Sequence, residues 1–202
     1  MMRMLDVQGF ILVGGKSSRM GEDKARLRFG DQTSVERIAA ALRCVTPAVS
    51  TVGWPDQKLE GLPNVEDLRA GWGPLGGIES ALRHAKSEHC LIVACDFPFV
   101  TKNLFEQLLA FVNDADATVP RQEDERAQPL CAVYRVDTCL VATEAAIAAE
   151  EHSPRAMLDR VRTRYIPFRD LSHLEGSRNF FFNVNTPASY EIAQRMFNEE
   201  GG

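Results

Sequence analysis

Between Gly14 and Lys24 the chain reads GGKSSRMGEDK directly after the apolar run Val7 to Val13, so a glycine-rich loop bearing cations leaves the end of an expected buried strand. Glycines let the backbone approach phosphate oxygens and present N–H groups to them, while Arg19 and Lys24 add positive charge where a reacting phosphate is most negative. Such a loop suits phosphoryl or nucleotidyl transfer. Two commoner phosphate loops fail on spacing. A Walker A loop, G-x-x-x-x-G-K-S/T, would need a glycine five positions before Gly15, where Phe10 stands inside the strand. A dinucleotide fingerprint, G-x-G-x-x-G, fails because the glycines fall at 14, 15 and 21. What remains is G-G-x-S-x-R-M-G-x-D-K. A polar loop without a ligand is the competing reading, and paired glycines with an arginine and a lysine after an apolar strand speak against it.

A second acid-bearing strand end follows. Cys90 to Cys95 is apolar throughout and stops at Asp96, which puts a carboxylate where a buried strand meets its loop. A lone aspartate there can be a helix cap or turn residue; followed by Phe97-Pro98 and paired with a phosphate loop on another strand, it reads as a Mg²⁺ ligand. Asp67, taken by itself, is a loop acid. Gly73-Pro74-Leu75-Gly76-Gly77 opens a helix whose N–H groups could face an anion, although glycine there can equally serve close packing. Arg155, Arg160, Arg162, Arg164 and Arg169, offset only by Asp159, form a basic stretch that would hold a second substrate's phosphate or lie as a solvated face. His84, His89 and Cys90 match no zinc spacing.

Strand-like and helix-like patterns alternate along the chain, which predicts an α/β fold of the Rossmann-like three-layer α/β/α kind, a mostly parallel sheet with helices on both faces. Strands are expected near 7–13, 48–53, 90–95, 116–119, 130–135, 163–168 and 181–184. Thr33-Ser34-Val35-Glu36 reads as a capping box opening a helix to about Cys44, with Val35, Ile38, Ala39 and Leu42 on one face. Further helices are expected over 75–86, 102–113, 137–150 and 154–162, and a last one capped by Thr186, with Pro187 in its first turn, to about Asn198. The densest loop signals, 54–63, 67–73, 122–128 and 170–179, are candidates for substrate-facing segments. In open α/β sheets ligands bind beyond the carboxyl ends of the strands, where the glycine-rich loop and Asp96 both fall.

The 202 residues suit a single domain, 1–202. A composition 45% hydrophobic and 25% charged, with no apolar stretch of membrane-span length, is that of a cytoplasmic globular protein. The net charge of −5 argues against nucleic acid as a partner, so an anionic substrate must be held by local clusters. Five cysteines include no C-x-x-C and lie mostly in apolar contexts, as buried reduced thiols do.

The chain resembles the molybdenum cofactor guanylyltransferase family, within the nucleotide-diphospho-sugar-transferase-like nucleotidyltransferases. The resemblance rests on the run from Leu12 to Lys24, on Gly73-Pro74-Leu75-Gly76-Gly77, on Cys95-Asp96-Phe97-Pro98, on Gln128-Pro129-Leu130 and on Asn183-Val184-Asn185-Thr186-Pro187, in family order over almost the whole chain. The first block alone identifies the wider superfamily; the Asp-Lys ending, the Gly-Pro-Leu loop and the Asn-x-Asn-Thr-Pro block narrow it to the molybdopterin branch. Val13 departs from the alanine usual in the family without removing charge.

The resemblance implies transfer of GMP from GTP to molybdenum-molybdopterin with release of pyrophosphate. It implies Mg²⁺ as cofactor, and other molybdenum cofactor biosynthesis proteins and recipient molybdoenzymes as partners, with no membrane involved. By the same token Leu12 and Val13 would contact the nucleotide near its base, Gly14 and Gly15 the triphosphate, and Asp67 the nucleotide. Arg19 and Lys24 would stabilise charge, and Asp96 would hold the ion. Asn183 and Asn185 match positions near a second metal or the pterin, and compete with a reading as turn residues before Thr186. The rival functions are cytidylyl transfer to molybdopterin, another small nucleotidyl transfer, and a nonenzymatic GTP-binding protein of cofactor delivery.

Overall fold

The computed structural model describes residues 5–13, 24–53, 61–69 and 71–200. In chain order the elements are β1 (Val7–Leu12), a 3-10 turn (Lys24–Arg26), β2 (Arg28–Phe29), β3 (Gln32–Thr33), α1 (Ser34–Arg43), β4 (Val49–Val52) and β5 (Asn64–Val65). There follow α2 (Pro74–His84), β6 (His89–Ala94), α3 (Lys102–Leu109), β7 (Ala117–Pro120), β8 (Cys131–Arg135) and α4 (Val136–Ala148). The chain continues through α5 (Pro154–Leu158), β9 (Thr163–Ile166), a 3-10 turn (Phe168–Asp170) and α6 (Pro187–Glu200).

Seven strands form one sheet in the order β5-β4-β1-β6-β8-β7-β9. Neighbours are parallel at β5-β4, β4-β1, β1-β6 and β7-β9, and antiparallel on both sides of β8. The carboxyl ends of β1, β4, β5, β6, β7 and β9 therefore share one edge of the sheet. The expected mostly parallel sheet with helices on both faces is present.

Alternate residues of the central strands feed opposite layers. In β1, Val7 and Ile11 join a core with α1 and α3, while Phe10 and Leu12 join the core under α2, α4 and α5. β6 does the same with Leu91 and Val93 against Cys90 and Ile92. Burial on both faces is why these strands read as unbroken apolar runs. A third cluster of Leu27, Phe29, Phe99, Val184 and Ala193 packs the β2–β3 hairpin and α6 together.

The capping box is formed: Glu36 N–H donates to Thr33 Oγ1 at 3.2 Å, and Thr33 N–H to Glu36 Oε2 at 2.6 Å. Residues 181–184 are not a strand. Phe181 and Phe182 turn their rings onto Phe97 and Phe99, with centroids 6.2 and 6.3 Å apart, so this apolar run is held by aromatic packing instead of a ladder. The seventh strand is β5, whose two residues are too few to show alternation. The helices expected over 102–113 and 154–162 stop at Leu109 and Leu158 and continue as turns.

Candidate active site

The site is built on the ends of β1 and β6. Cys95 N–H donates to the Leu12 carbonyl at 3.0 Å and Val13 N–H to the Val52 carbonyl at 2.9 Å, so the sheet stays paired up to the point where the glycine-rich segment begins. The Ser34 hydroxyl, at the start of α1, donates to the Cys95 carbonyl. Beyond it stands Asp96, half-buried, after a strand whose six residues are all buried.

Asp96 is also where the end of the chain returns. Val184 N–H donates to the Asp96 carbonyl at 3.0 Å, with the buried Val184 side chain flanked by exposed Asn183 and Asn185. This block is held from behind by the α6 cap. Ser189 N–H donates to Thr186 Oγ1 at 3.1 Å, and Asn185 N–H donates to Ser189 Oγ at 3.0 Å. Asn183 and Asn185 are thereby gathered beside Asp96.

Gly14, Gly15 and Arg19 lie outside the described residues. Lys24 opens the 3-10 turn that follows them, and the turn is anchored by buried Ala25 and Leu27, the latter's carbonyl accepting the Ser34 N–H at 2.8 Å. Leu27 and Val184 share one apolar cluster. The exit of the glycine-rich segment and the block bonded to Asp96 are thus packed on the same support.

Asp67 follows β5 at the same edge. Its Oδ1 accepts the Arg69 N–H at 3.0 Å and lies 3.4 Å from Ser80 Oγ, which fixes the loop onto α2; among the described residues nothing donates to Oδ2. In the Gly73–Gly77 block, Gly73 has φ of 70°, a conformation costly for a side chain, and Pro74 sits in the first turn of α2. Gly76 and Gly77 serve close packing: an added Cβ would come within 3.0 Å of Trp72 Cβ and 3.4 Å of Leu12 Cδ1, respectively.

The basic stretch is divided among separate acids. Arg162 pairs with Asp116 at 3.2 Å, Arg164 with Asp114 at 3.2 Å, Arg160 with Glu151 at 2.7 Å, Arg155 with Asp159 at 3.7 Å and Arg169 with Asp170 at 3.6 Å. It spans α5, β9 and two turns, so it is no single face. Burial pushes the thiols of Cys90 and Cys131 up and that of Cys139 to about 12, which keeps them protonated and unsuited as nucleophiles. His84 Nδ1 lies 2.9 Å from the Ser80 carbonyl, and His89 is buried in β6.

Two of the loops flagged in the sequence meet at this edge beyond β7 and β9. Together with Phe168, Phe181 and Phe182 they line a half-open cleft of about 310 Å³, to which the loops bring Gln122, Glu123 and Arg178. Their loop composition is visible in the sequence; their meeting, across residues 122 and 178, is not.

A family model described as the MobA-like NTP transferase domain matches residues 9–165. The chain belongs to the MobA-like NTP transferase family. A "probable molybdenum cofactor guanylyltransferase" of Pelotomaculum thermopropionicum is 37% identical over 195 residues, covering 96% of this chain and 94% of that protein. Among solved structures, molybdopterin-guanine dinucleotide biosynthesis protein A from Archaeoglobus fulgidus matches with a TM-score of 0.79 at 26% identity, covering 95% of this chain and 99% of its own. The 2-C-methyl-D-erythritol 4-phosphate cytidylyltransferase of Thermus thermophilus, 18% identical, matches with a TM-score of 0.71 over 96% of this chain and 100% of its own, a likeness of fold. As a MobA-like NTP transferase the chain is a nucleotidyltransferase, and Asp67 and Asp96 stand at the carboxyl edge of its sheet, where open α/β sheets bind ligands.

Proposed function

We propose that the protein is a GTP:molybdopterin guanylyltransferase. The observation that carries this reading is the junction at Asp96. A carboxylate at the end of β6 is tied by main-chain hydrogen bonds to Leu12 through Cys95 and to the Asn183–Asn185 block through Val184. The names of the relatives, a molybdenum cofactor guanylyltransferase and a molybdopterin-guanine dinucleotide biosynthesis protein, support GTP as the donor and molybdenum-molybdopterin as the acceptor.

An oxygen of the terminal phosphate of molybdopterin attacks the α-phosphorus of GTP. The bond from that phosphorus to the bridging oxygen of the β-phosphate breaks, and pyrophosphate leaves with the electron pair. No covalent enzyme intermediate is needed, so the protein's part is positioning and electrostatics. The Gly14 and Gly15 amides hold the triphosphate, Arg19 and Lys24 neutralise charge growing on the α-phosphate and leaving group, and Asp67 binds the nucleotide. Leu12 and Val13 contribute main-chain contacts near the base.

The donors at the junction fit Mg²⁺, because Asp96 and the side-chain carbonyl of Asn185 are hard oxygen donors and this ion is held by one or two carboxylates completed by phosphates and water. When bound, it neutralises phosphate charge as a Lewis acid. We place the reaction in the cytoplasm, where free thiols such as the five here persist.

Pyrophosphate release, assayed with purified molybdenum-molybdopterin and each of the four nucleoside triphosphates, tests the reading. GTP should support turnover at least about tenfold faster than the others, a difference of about 1.4 kcal/mol. Preference for CTP would make the protein a cytidylyltransferase. GTP binding without pyrophosphate release would leave a delivery protein.

A further inference from the structure

Asp96 and Asn185, the two donors proposed for the ion, come from different elements: one from the turn after β6, the other from the block that precedes α6. We propose that Arg37 of α1 is a positioning residue for the reaction, one that fixes the Asp96 turn against α6 and so holds the two donors at one spacing. Its kinetic consequence rests on the proposed guanylyltransfer; its structural consequence does not.

The grip on the turn comes from one face of α1. Ser34 and Arg37 are three residues apart on that helix and so lie side by side. The Ser34 hydroxyl donates to the Cys95 carbonyl and Arg37 Nε donates to the Pro98 carbonyl at 3.3 Å, so the main chain is held on both sides of Asp96. The turn needs such donors. Phe97, Pro98, Phe99 and Val100 are all buried, Pro98 brings no N–H of its own, and a buried carbonyl without a partner is costly. Inside the turn, the bond from the Val100 N–H to the Phe97 carbonyl is a long 3.5 Å, so local bonding alone fixes it weakly.

The same guanidinium lies on α6. Its carbon is 4.6 Å from the centre of the Phe197 ring, a cation–π arrangement. Phe197 is itself seated on the β2–β3 hairpin: its ring centroid is 6.3 Å from that of Phe29, and a Cβ added at Gly30 would come within 3.1 Å of it. Two turns earlier on α6, the Tyr190 hydroxyl donates to the Arg28 carbonyl at 2.8 Å. The start of α6 holds Asn185, whose N–H donates to Ser189 Oγ at 3.0 Å. Arg37 thus touches the Asp96 turn through Nε and the Asn185 helix through the flat face of its guanidinium.

Partners that orient metal-binding side chains typically change affinity or activity about 10- to 100-fold when removed. Loss of Arg37 should weaken use of the ion and spare recognition of GTP. The contacts of Arg37 lead to Asp96 and Asn185, whereas Asp67 is fixed separately, at the edge strand β5, by the Arg69 N–H and Ser80.

Arg37→Met keeps the length of the side chain and removes its donors and charge. The Mg²⁺ concentration for half-maximal pyrophosphate release should rise about tenfold, while the KM for GTP at saturating Mg²⁺ stays within about twofold. Arg37→Lys, which keeps a donor and a cation, should return the Mg²⁺ requirement to within about threefold of wild type. Phe197→Leu removes the ring from the other side and should raise the requirement about threefold or more, which keeps the comparison open should Arg37→Met not fold. In the unliganded protein, amide hydrogen exchange between residues 97 and 100 and between 184 and 190 should quicken about tenfold in Arg37→Met, with β1 unaffected. An unchanged Mg²⁺ requirement, an equal rise in the KM for GTP, no recovery in Arg37→Lys, or unaltered exchange in both segments would overturn the assignment. Failure of the guanylyltransfer reading looks different: wild-type protein would release no pyrophosphate from GTP, and the exchange rates would still judge Arg37.

Discussion

The Val184 N–H donates to the Asp96 carbonyl at 3.0 Å, which joins the last loop of the chain to the end of a central strand. The bond uses Asp96's main chain and leaves its carboxylate's chemistry separable from the local fold. Val184 itself is buried against Leu27, Phe29 and Phe99, so the contact is backed by packing and is not a lone hydrogen bond. Substitution of the Asp96 side chain should therefore report on function more than on structure.

Asp96→Asn should keep the fold, with stability within about 0.5 kcal/mol, because β6 and the Val184 bond do not involve the carboxylate charge. Turnover should fall about 100-fold or more, since a neutral amide is a poorer ligand for a hard cation beside phosphates. Thermal unfolding together with Mg²⁺ titration of pyrophosphate release checks this. A folded variant with ordinary Mg²⁺ dependence would place the ion elsewhere.

Glu79, 1% exposed on α2, pairs with Arg69 and, at 3.0 Å, with Arg83, which reaches Glu144 of α4 at 2.7 Å. This network clamps the loop carrying Asp67 to two helices. Glu79→Gln should destabilise the protein by about 1–3 kcal/mol, less than for a wholly buried pair because both arginines can rehydrate. Denaturant unfolding measures the loss. GTP affinity should fall as well, as the Asp67 loop loosens; unchanged affinity would separate the clamp from the site.

The parts legible in the sequence are those whose signal is local. β1 and β6 are buried on both faces and appear as continuous apolar runs, and Asp96 stands out because it ends one of them. Thr33 and Glu36 announce α1 by a pattern four residues long. By contrast, Arg162 and Arg164 find their partners Asp116 and Asp114 at separations of 46 and 50 residues, so the charge run reads as one basic feature although its members are dispersed. Phe181 to Val184 imitates a strand because apolar content alone does not distinguish a ladder from aromatic docking. β5 and the β2–β3 hairpin are two residues per strand; the hairpin's Gly30-Asp31 turn, with Gly30 at φ 60°, is the one local signal for it.

Stability should fall on acidification in two separate windows. His89 is buried, neither ring nitrogen has a hydrogen-bond partner among the described residues, and burial pushes its pKa below the usual value; Arg135 acts in the same direction, against Glu88, Asp137 and Asp6. The unfolded chain then binds the proton that the folded protein refuses. Stability is full above about 6.5 and declines as pH falls from there towards the lowered folded value. Asp116, held low chiefly by the Arg162 hydrogen bond, contributes stability above about 3.9 that is lost in more acid solution. His89→Phe removes two unpartnered buried nitrogens, so it should flatten the upper window only and raise stability by about 1 kcal/mol. Urea unfolding from about pH 2 to 8 spans both windows and would decide, and an upper slope that survives the substitution would mean His89 is not its source.

Lys24 separates catalysis from binding. It begins the turn that leaves the glycine-rich segment, and buried Ala25 and Leu27 hold that turn against the start of α1, so the backbone at this position is set by its neighbours and not by the lysine. If the ammonium neutralises charge that grows in the transition state, Lys24→Ala should lower kcat by roughly 10²- to 10³-fold, about 2.7–4 kcal/mol. GTP affinity should drop less, because on the proposed assignment the Gly14 and Gly15 amides and an ion at Asp96 would still hold the triphosphate. A lysine with no role in the reaction would instead change stability by no more than about 0.5 kcal/mol and the rate hardly at all. Steady-state rates and GTP titration on the same folded variant distinguish the cases. An unchanged rate would remove Lys24 from the chemistry, and an equal loss in affinity and in kcat/KM, with kcat preserved, would make it a binding residue, because only an interaction stronger in the transition state than in the ground state lowers kcat when it is removed.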